Sequence, residues 1–234
     1  IPDSHYLISN IECLDEELIN QLILCGFHYI KIKCGRDPHQ ELSRLESLRE
    51  LFLKHEVLLR LDFNEQLNEL QAYRLFEKLS EELIACIDFL EDPFPYQSQA
   101  WLAFSKKFGV FMARDRNFDV QQTIGADVFV IKPAITDFRL VLQKTQMLAK
   151  RVVITSYLDH PLGQLSAALV AARAQNTFGR RVGVCGLLSH HVYEANEFSE
   201  NLSKDNVKLV PPAGIGFGFD ELLNKQDWQK LLGV

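Results

Sequence analysis

Basic residues are in short supply: 25 Lys and Arg stand against 31 Asp and Glu, a formal net charge of −6. A chain with that balance has little electrostatic grip on a polyphosphate backbone or an anionic bilayer, so neither nucleic acid nor a membrane is an expected partner. Paired cysteines are missing as well. The five present, Cys13, Cys25, Cys34, Cys86 and Cys185, are odd in number and form no Cys-x-x-Cys. That excludes a disulfide framework or a zinc ribbon and leaves free thiols, suited to a reducing compartment. No apolar run approaches the ~20 residues of a membrane span, and the first residues lack the basic-then-apolar profile of a signal peptide. A cytoplasmic location is the expectation. Low-complexity segments are absent, and so are hairpin turns between the strand-like runs.

What is there is alternation. With 234 residues, 47% of them hydrophobic, one large α/β domain fits better than two small ones. Apolar runs of strand length fall at 5–11, 29–34, 57–63, 87–91, 110–114, 127–133, 151–156 and 181–186. Stretches with helical spacing lie between them at 15–25, 38–54, 68–83, 98–108, 137–150 and 162–175, with a short turn at 120–124. A polar loop is expected at 194–206 and a last helix at 221–232. Repeated strand–helix units without hairpins demand a parallel sheet with right-handed crossovers. Eight of them most simply close into a TIM-like barrel; an open doubly wound sheet is the alternative.

Catalytic groups of such a barrel sit at the C-terminal strand ends. This sequence places Lys31-Ile32-Lys33 there on the second strand and Arg60-Leu61-Asp62-Phe63-Asn64 on the third. Glu91-Asp92-Pro93, Arg114-Asp115-Arg116 and Ile131-Lys132-Pro133 follow on the fourth to sixth. Strand side chains alternate, so Lys31 shares a face with Lys33, and Arg60 with Asp62 and Asn64, while Ile32, Leu61 and Phe63 face the helices. A single charge at a strand end is ordinarily a solvated loop residue. Charge on five successive strands at matching positions is not, because such groups are costly to gather unless they neutralise one another or bind an ion. Asp62, Glu91 and Asp115, from three adjacent strands, would converge on one point. Three oxygen ligands with open positions suit a hard cation, Mg²⁺ first and Mn²⁺ as a substitute. A cation on a substrate carboxylate stabilises the enolate that forms when an amine removes the neighbouring proton.

These residues resemble the enolase superfamily, in its muconate-lactonizing branch, and within it the o-succinylbenzoate synthases. The motif set is Lys-x-Lys, then Asp, Glu and Asp on strands three to five, then Lys on strand six. The resemblance implies a (β/α)₇β barrel in which Lys33 takes the proton, Lys132 stabilises the enolate as a cation, and Asp62, Glu91 and Asp115 hold the metal. Lys31, Arg60 and Asn64 would support the site. Thr155 and Ser156, with the backbone amide of Gly186, would hold substrate carboxylates. The implied reaction is Mg²⁺-dependent syn dehydration of 2-succinyl-6-hydroxy-2,4-cyclohexadiene-1-carboxylate in menaquinone biosynthesis. A dipeptide epimerase or N-acylamino acid racemase is the sister reading, and a non-catalytic metal-binding barrel a third.

Some features depart from that pattern. The acidic residue expected after the seventh-strand segment is Asp159, but His160-Pro161 follows it in place of small polar residues, and Asp115 is flanked by two arginines. The α+β capping domain of the family has no counterpart in this chain, so residues 1–234 are expected to be the barrel of a longer protein, with the cap as its partner. Other signals carry less. Gly214-Ile215-Gly216-Phe217-Gly218 follows two prolines and not a strand, unlike a phosphate loop. His190-His191 with Glu194 fits no zinc spacing. Ser156, Asp159 and His160 are too local for a hydrolase triad. Trp101 and Trp228 are expected to pack from amphipathic helices.

Overall fold

The computed structural model describes residues 1–116, 119 and 121–229. Seven parallel strands follow one another in chain order around one curled sheet. They are β1 (Tyr6–Ile8), β2 (Tyr29–Lys33), β3 (Leu58–Asp62), β4 (Ile87–Glu91), β5 (Met112–Arg114), β6 (Val128–Ile131) and β7 (Arg151–Ile154). Helices α1 (Glu16–Leu24), α2 (Pro38–Ser47), α3 (Arg49–Lys54), α4 (Glu69–Phe76), α5 (Glu81–Ala85), α6 (Ser98–Phe108), α7 (Phe138–Leu148) and α8 (Pro161–Phe178) lie between and after them. Local sequence sets many of their ends. Asp15, Asp37 and Ser80 cap α1, α2 and α5 with their side chains, and Pro38 occupies the first turn of α2. Gly109 ends α6 in the left-handed conformation.

Residues 182–186 close the ring. Gly183 and Gly186 donate to the carbonyls of Val152 and Ile154 at 2.8 and 2.9 Å, while Cys185 exchanges hydrogen bonds with Asp3 and His5, both at 2.7 Å. The expected eighth strand is therefore a run of single bridges to β7 and to Ser4, too short for a ladder, but it fills the barrel's last position. Two cores result. Ile32, Leu61, Phe63, Leu90, Met112, Phe129 and Ile154 pack outward into one large cluster with the helices. Phe89, Ala113, Val128, Val130 and Val153 pack together as a separate small cluster on the opposite faces of their strands. Strands buried on both faces are what an all-parallel barrel demands.

The interior between β1 and β4 is polar instead. Arg60 is fully buried, donates to Asp88 Oδ2 at 2.8 Å and to the Val184 carbonyl at 2.7 Å, and lies over the Tyr29 and Phe89 rings. Asp88 also accepts from Arg151 at 2.7 Å. Asp88→Ala leaves the buried guanidinium without its carboxylate, and a loss of about 3–5 kcal/mol is expected in urea unfolding.

Several sequence expectations change. The helix over 38–54 breaks at Leu48, whose amide bonds Leu45, and the Arg49 side chain donates to the Glu46 carbonyl. The helix over 68–83 breaks where the Ser80 hydroxyl turns to cap α5. The 194–206 loop contains α9 (Glu197–Glu200) and the first strand of an antiparallel pair, β8 (Ser203–Asp205) and β9 (Lys208–Val210). Every residue of β8 is exposed, so no hydrophobic alternation announced it. The last helix is shorter, α10 (Asp220–Asn224), and Trp228 lies beyond it, 69% exposed, whereas Trp101 is buried. Residue 120, which opens the expected 120–124 turn, and residues 230–232 of the expected last helix lie outside the described residues. Among the described residues no helix is long and apolar enough to cross a membrane.

Candidate active site

Register brings the charged residues together. Lys33 pairs with Asp62 across β2 and β3, and Asp62 with Glu91 across β3 and β4. Neighbouring strands lie ~4.8 Å apart, so three last residues of three strands stand side by side at one end of the barrel. The hydrogen-bond ladder runs one step past them, from Cys34 to Asp62, from Phe63 to Glu91 and from Asp92 to Ala113, and fixes where each side chain starts. Asp115 and Lys132 each follow directly on β5 and β6.

The side chains form two ion-paired groups. The Lys31 ammonium lies 2.6 and 2.7 Å from the two Glu91 oxygens and 2.9 Å from Asp62 Oδ2. Lys33 reaches the same Asp62 oxygen at 2.6 Å and Asn64 Oδ1 at 3.4 Å. Asn64 holds the other Asp62 oxygen through its backbone amide and its side chain. Lys132 pairs with Asp115. Burial alone would raise the Asp62 carboxyl, but Lys31 and Lys33 outweigh it and hold it well below the usual carboxylate range. Burial would likewise lower Lys31; Asp62, Glu91 and Asp115 outweigh it and hold its ammonium above the usual range. Glu91 goes the other way: burial, then the Asp62 charge, push its carboxyl up to about 7.

Asp92 carried no role in the sequence reading. One oxygen each from Glu91, Asp92 and Asp115 lies within 4.8 Å of the others. The Asp92 carboxylate, however, accepts the amide of Arg116 at 2.8 Å and that of Asp115 at 3.3 Å, so it anchors the segment that carries Asp115. Its φ of 43° turns the chain after Glu91, a left-handed conformation that Asp tolerates better than most residues. Asp62, expected to share the point with Glu91 and Asp115, lies outside this group: Lys31, Lys33 and Asn64 take its oxygens, and Lys31 links it to Glu91.

Do these groups fit a hard cation? They supply carboxylate oxygens from adjacent strands, and the Lys31 ammonium already lies between Asp62 and Glu91 as a positive charge bonded to both. The donor chemistry suits Mg²⁺.

A pocket of about 40 Å³ opens beside the lysines, lined by Lys31, Lys33, Lys132, Thr155, Ser156 and Gly186 among others. Ser156 and Ser189 share a hydrogen bond at 2.8 Å in its wall. Thr155 Oγ1 is buried with no partner among the described residues. Two expectations need correction. Arg60 does not reach the mouth; it is committed to Asp88 and Val184 in the barrel interior. The Gly186 amide is not available to a substrate, because it donates to Ile154 in closing the ring.

Comparison with known proteins bears on the family and the fold. A family model described as "Enolase C-terminal domain-like" matches residues 15–120. An o-succinylbenzoate synthase of Bdellovibrio bacteriovorus is 31% identical over 237 residues, covering 97% of this chain and 69% of that protein. Among solved structures, a muconate lactonizing enzyme superposes with a TM-score of 0.74 at 17% identity over 95% of this chain. The L-Ala-D/L-Glu epimerase of Bacillus subtilis gives 0.69 at 19% identity over 93%. The chain spans 64% and 62% of those two structures, which at these identities support the fold alone. With fold, strand-end charges and a relative of this identity in agreement, the chain belongs to the enolase superfamily, beside the muconate lactonizing enzymes and with an o-succinylbenzoate synthase among its relatives.

Proposed function

We propose that the chain is the catalytic barrel of an o-succinylbenzoate synthase, a carbon–oxygen lyase that dehydrates 2-succinyl-6-hydroxy-2,4-cyclohexadiene-1-carboxylate in menaquinone biosynthesis. The observation that carries this reading is the placement of Lys33 and Lys132 on separate strands, β2 and after β6, with Asp62, Glu91 and Asp115 on the strands between. The relative from Bdellovibrio bacteriovorus supports the substrate.

In this reading Asp62, Glu91 and Asp115 hold Mg²⁺ (or Mn²⁺), and a bound ion supplies Lewis-acid stabilisation of a substrate carboxylate as negative charge builds on it. Lys33 takes the α-proton onto Nζ as the carbon becomes an enediolate carbon. Lys132 faces that charge as an ammonium. The bond to the hydroxyl oxygen then breaks, Lys33 returns its proton to the departing hydroxide, and water leaves as the ring becomes aromatic. Lys31 keeps Asp62 and Glu91 apart yet neutralised, and Asn64 fixes the rotation of Asp62. Ser156 and Thr155 bind substrate oxygens.

Full-length enzyme with Mg²⁺ should produce the arene absorbance from the cyclohexadiene substrate and lose it with chelator; no arene with Mg²⁺ present would overturn the reading. Lysines on both sides of the acids also suit racemisation, in which one removes and the other returns a proton. That second reading requires solvent deuterium to enter a dipeptide's α-carbon with inversion, which the synthase reading does not. In the full protein we place an α+β cap over the mouth, where Ile135 and Tyr157 present exposed apolar surface, and a cytoplasmic setting, which free thiols favour.

A further inference from the structure

We infer that His5 is a substrate-binding residue, donating from Nε2–H to a carbonyl or carboxylate oxygen of the substrate, and that Arg60 is the positioning residue that fixes the proton on that nitrogen. The inference rests on the synthase or epimerase reading only for the identity of the ligand; the donor itself follows from the geometry.

His5 stands one residue before β1, and its side chain is 4% exposed at the level of the residue. Its backbone amide is tied to the Cys185 carbonyl at 2.7 Å, so the start of the side chain is fixed by the closure of the barrel. Nδ1 lies 2.9 Å from Arg60 Nη1. A guanidinium carries donors and no acceptor, so Nδ1 must be the lone-pair nitrogen and the ring proton of the neutral imidazole must sit on Nε2. Burial, then the charges of Arg60 and Lys31, keep the imidazole neutral well below its ordinary titration range. Arg60 cannot turn away, because Asp88 and Val184 hold its other donors.

Nε2 has no hydrogen-bond partner among the described residues, yet His5 lines the same pocket as Lys31, Lys33 and Lys132. A methyl group built on Gly186 would meet His5 Nε2 and Thr155 Cγ2, each at 2.8 Å. Glycine at 186 therefore makes room for the imidazole edge beside Thr155, whose hydroxyl has no partner among the described residues. The Thr155 hydroxyl, buried and unpaired, is costly unless a ligand pairs it, and His5 borders the pocket from which that ligand would come. They lie on the wall formed by β7, residues 182–186 and the start of β1, across the ring from the acids of β3 to β5. The oxygen they receive thus belongs to the part of the substrate that points away from the acids. His5 takes the place that the committed Gly186 amide cannot fill.

The test uses full-length protein labelled with ¹⁵N-histidine. Ring correlation spectra should show the His5 Nδ1 unprotonated and Nε2 protonated, without change through neutral pH, and o-succinylbenzoate or an Ala-Glu dipeptide should shift the Nε2 signal. His5→Phe should raise KM about tenfold or more with a much smaller change in kcat, the loss expected for one hydrogen bond to a charged oxygen; His5→Gln should recover part of it. A proton on Nδ1, an Nε2 signal unmoved by both ligands, or an unchanged KM in a folded His5→Phe protein would overturn the inference. The spectra need no turnover, so absence of the dehydration leaves them decisive.

Discussion

Lys33→Ala is expected to lower kcat by about ten-thousandfold, the upper range for removal of a positioned general base, while the protein still folds. The effect is large because the arrangement offers no substitute on the same face. Lys31, the nearest amine, is held between Glu91 and Asp62, and Lys132 is on the other side of the acids with Asp115. Folding should survive because Asp62 keeps Lys31 and both Asn64 contacts, and because the Lys33 side chain is already 29% exposed. Stopped-flow absorbance of the arene measures the first part, thermal unfolding the second. Retention of turnover would place the base elsewhere.

Glu91→Gln is the second large effect. Glutamine keeps the shape and removes the charge, so the expected outcome is a loss of about a thousandfold in kcat/KM, comparable to removal of a preorganised electrostatic contact, together with a demand for far more Mg²⁺. Stability should move in the opposite direction. In the ion-free protein Glu91 is a buried acid whose carboxyl burial and the Asp62 charge raise to about 7. A raised carboxyl means that the folded state binds its proton more tightly than the unfolded chain does, so ionising it costs stability as pH rises from the ordinary glutamate range towards 7. Removing the charge relieves that cost, and metal-free Glu91→Gln is expected to melt no lower than the parent near neutral pH. A variant that loses both activity and stability would mean that Glu91 serves the fold and not the ion.

Much of this was legible in the sequence for one reason: parallel strands buried on both faces leave few places for charge, so charge at their ends is conspicuous. Lys33, Asp62 and Glu91 could be matched before any coordinates because each closes its own apolar run. Period-two alternation gives the face of a side chain but not its depth. Arg60 shares a face with Asp62, yet it turns inward to Asp88, a residue whose position mid-strand drew no attention. His5 carries no signal in the sequence because it opens a strand, away from the C-terminal strand ends; only the meeting of Ser4 and His5 with residues 185 and 186 brings it to the pocket. The Gly186 amide could not be judged, since its partner Ile154 is set by ring closure. Asp92 could not be weighed either, because its role depends on the turn at its own positive φ. The β8–β9 pair escaped because an exposed strand has no apolar pattern to show.

The central claim is that Asp62, Glu91 and Asp115 share one divalent ion. Titration of the full-length protein with Mn²⁺, followed by electron paramagnetic resonance, tests it directly. One Mn²⁺ should bind per chain, and Asp62→Ala, Glu91→Ala and Asp115→Ala should each abolish that binding; uptake that is unchanged when all three acids are removed would contradict it.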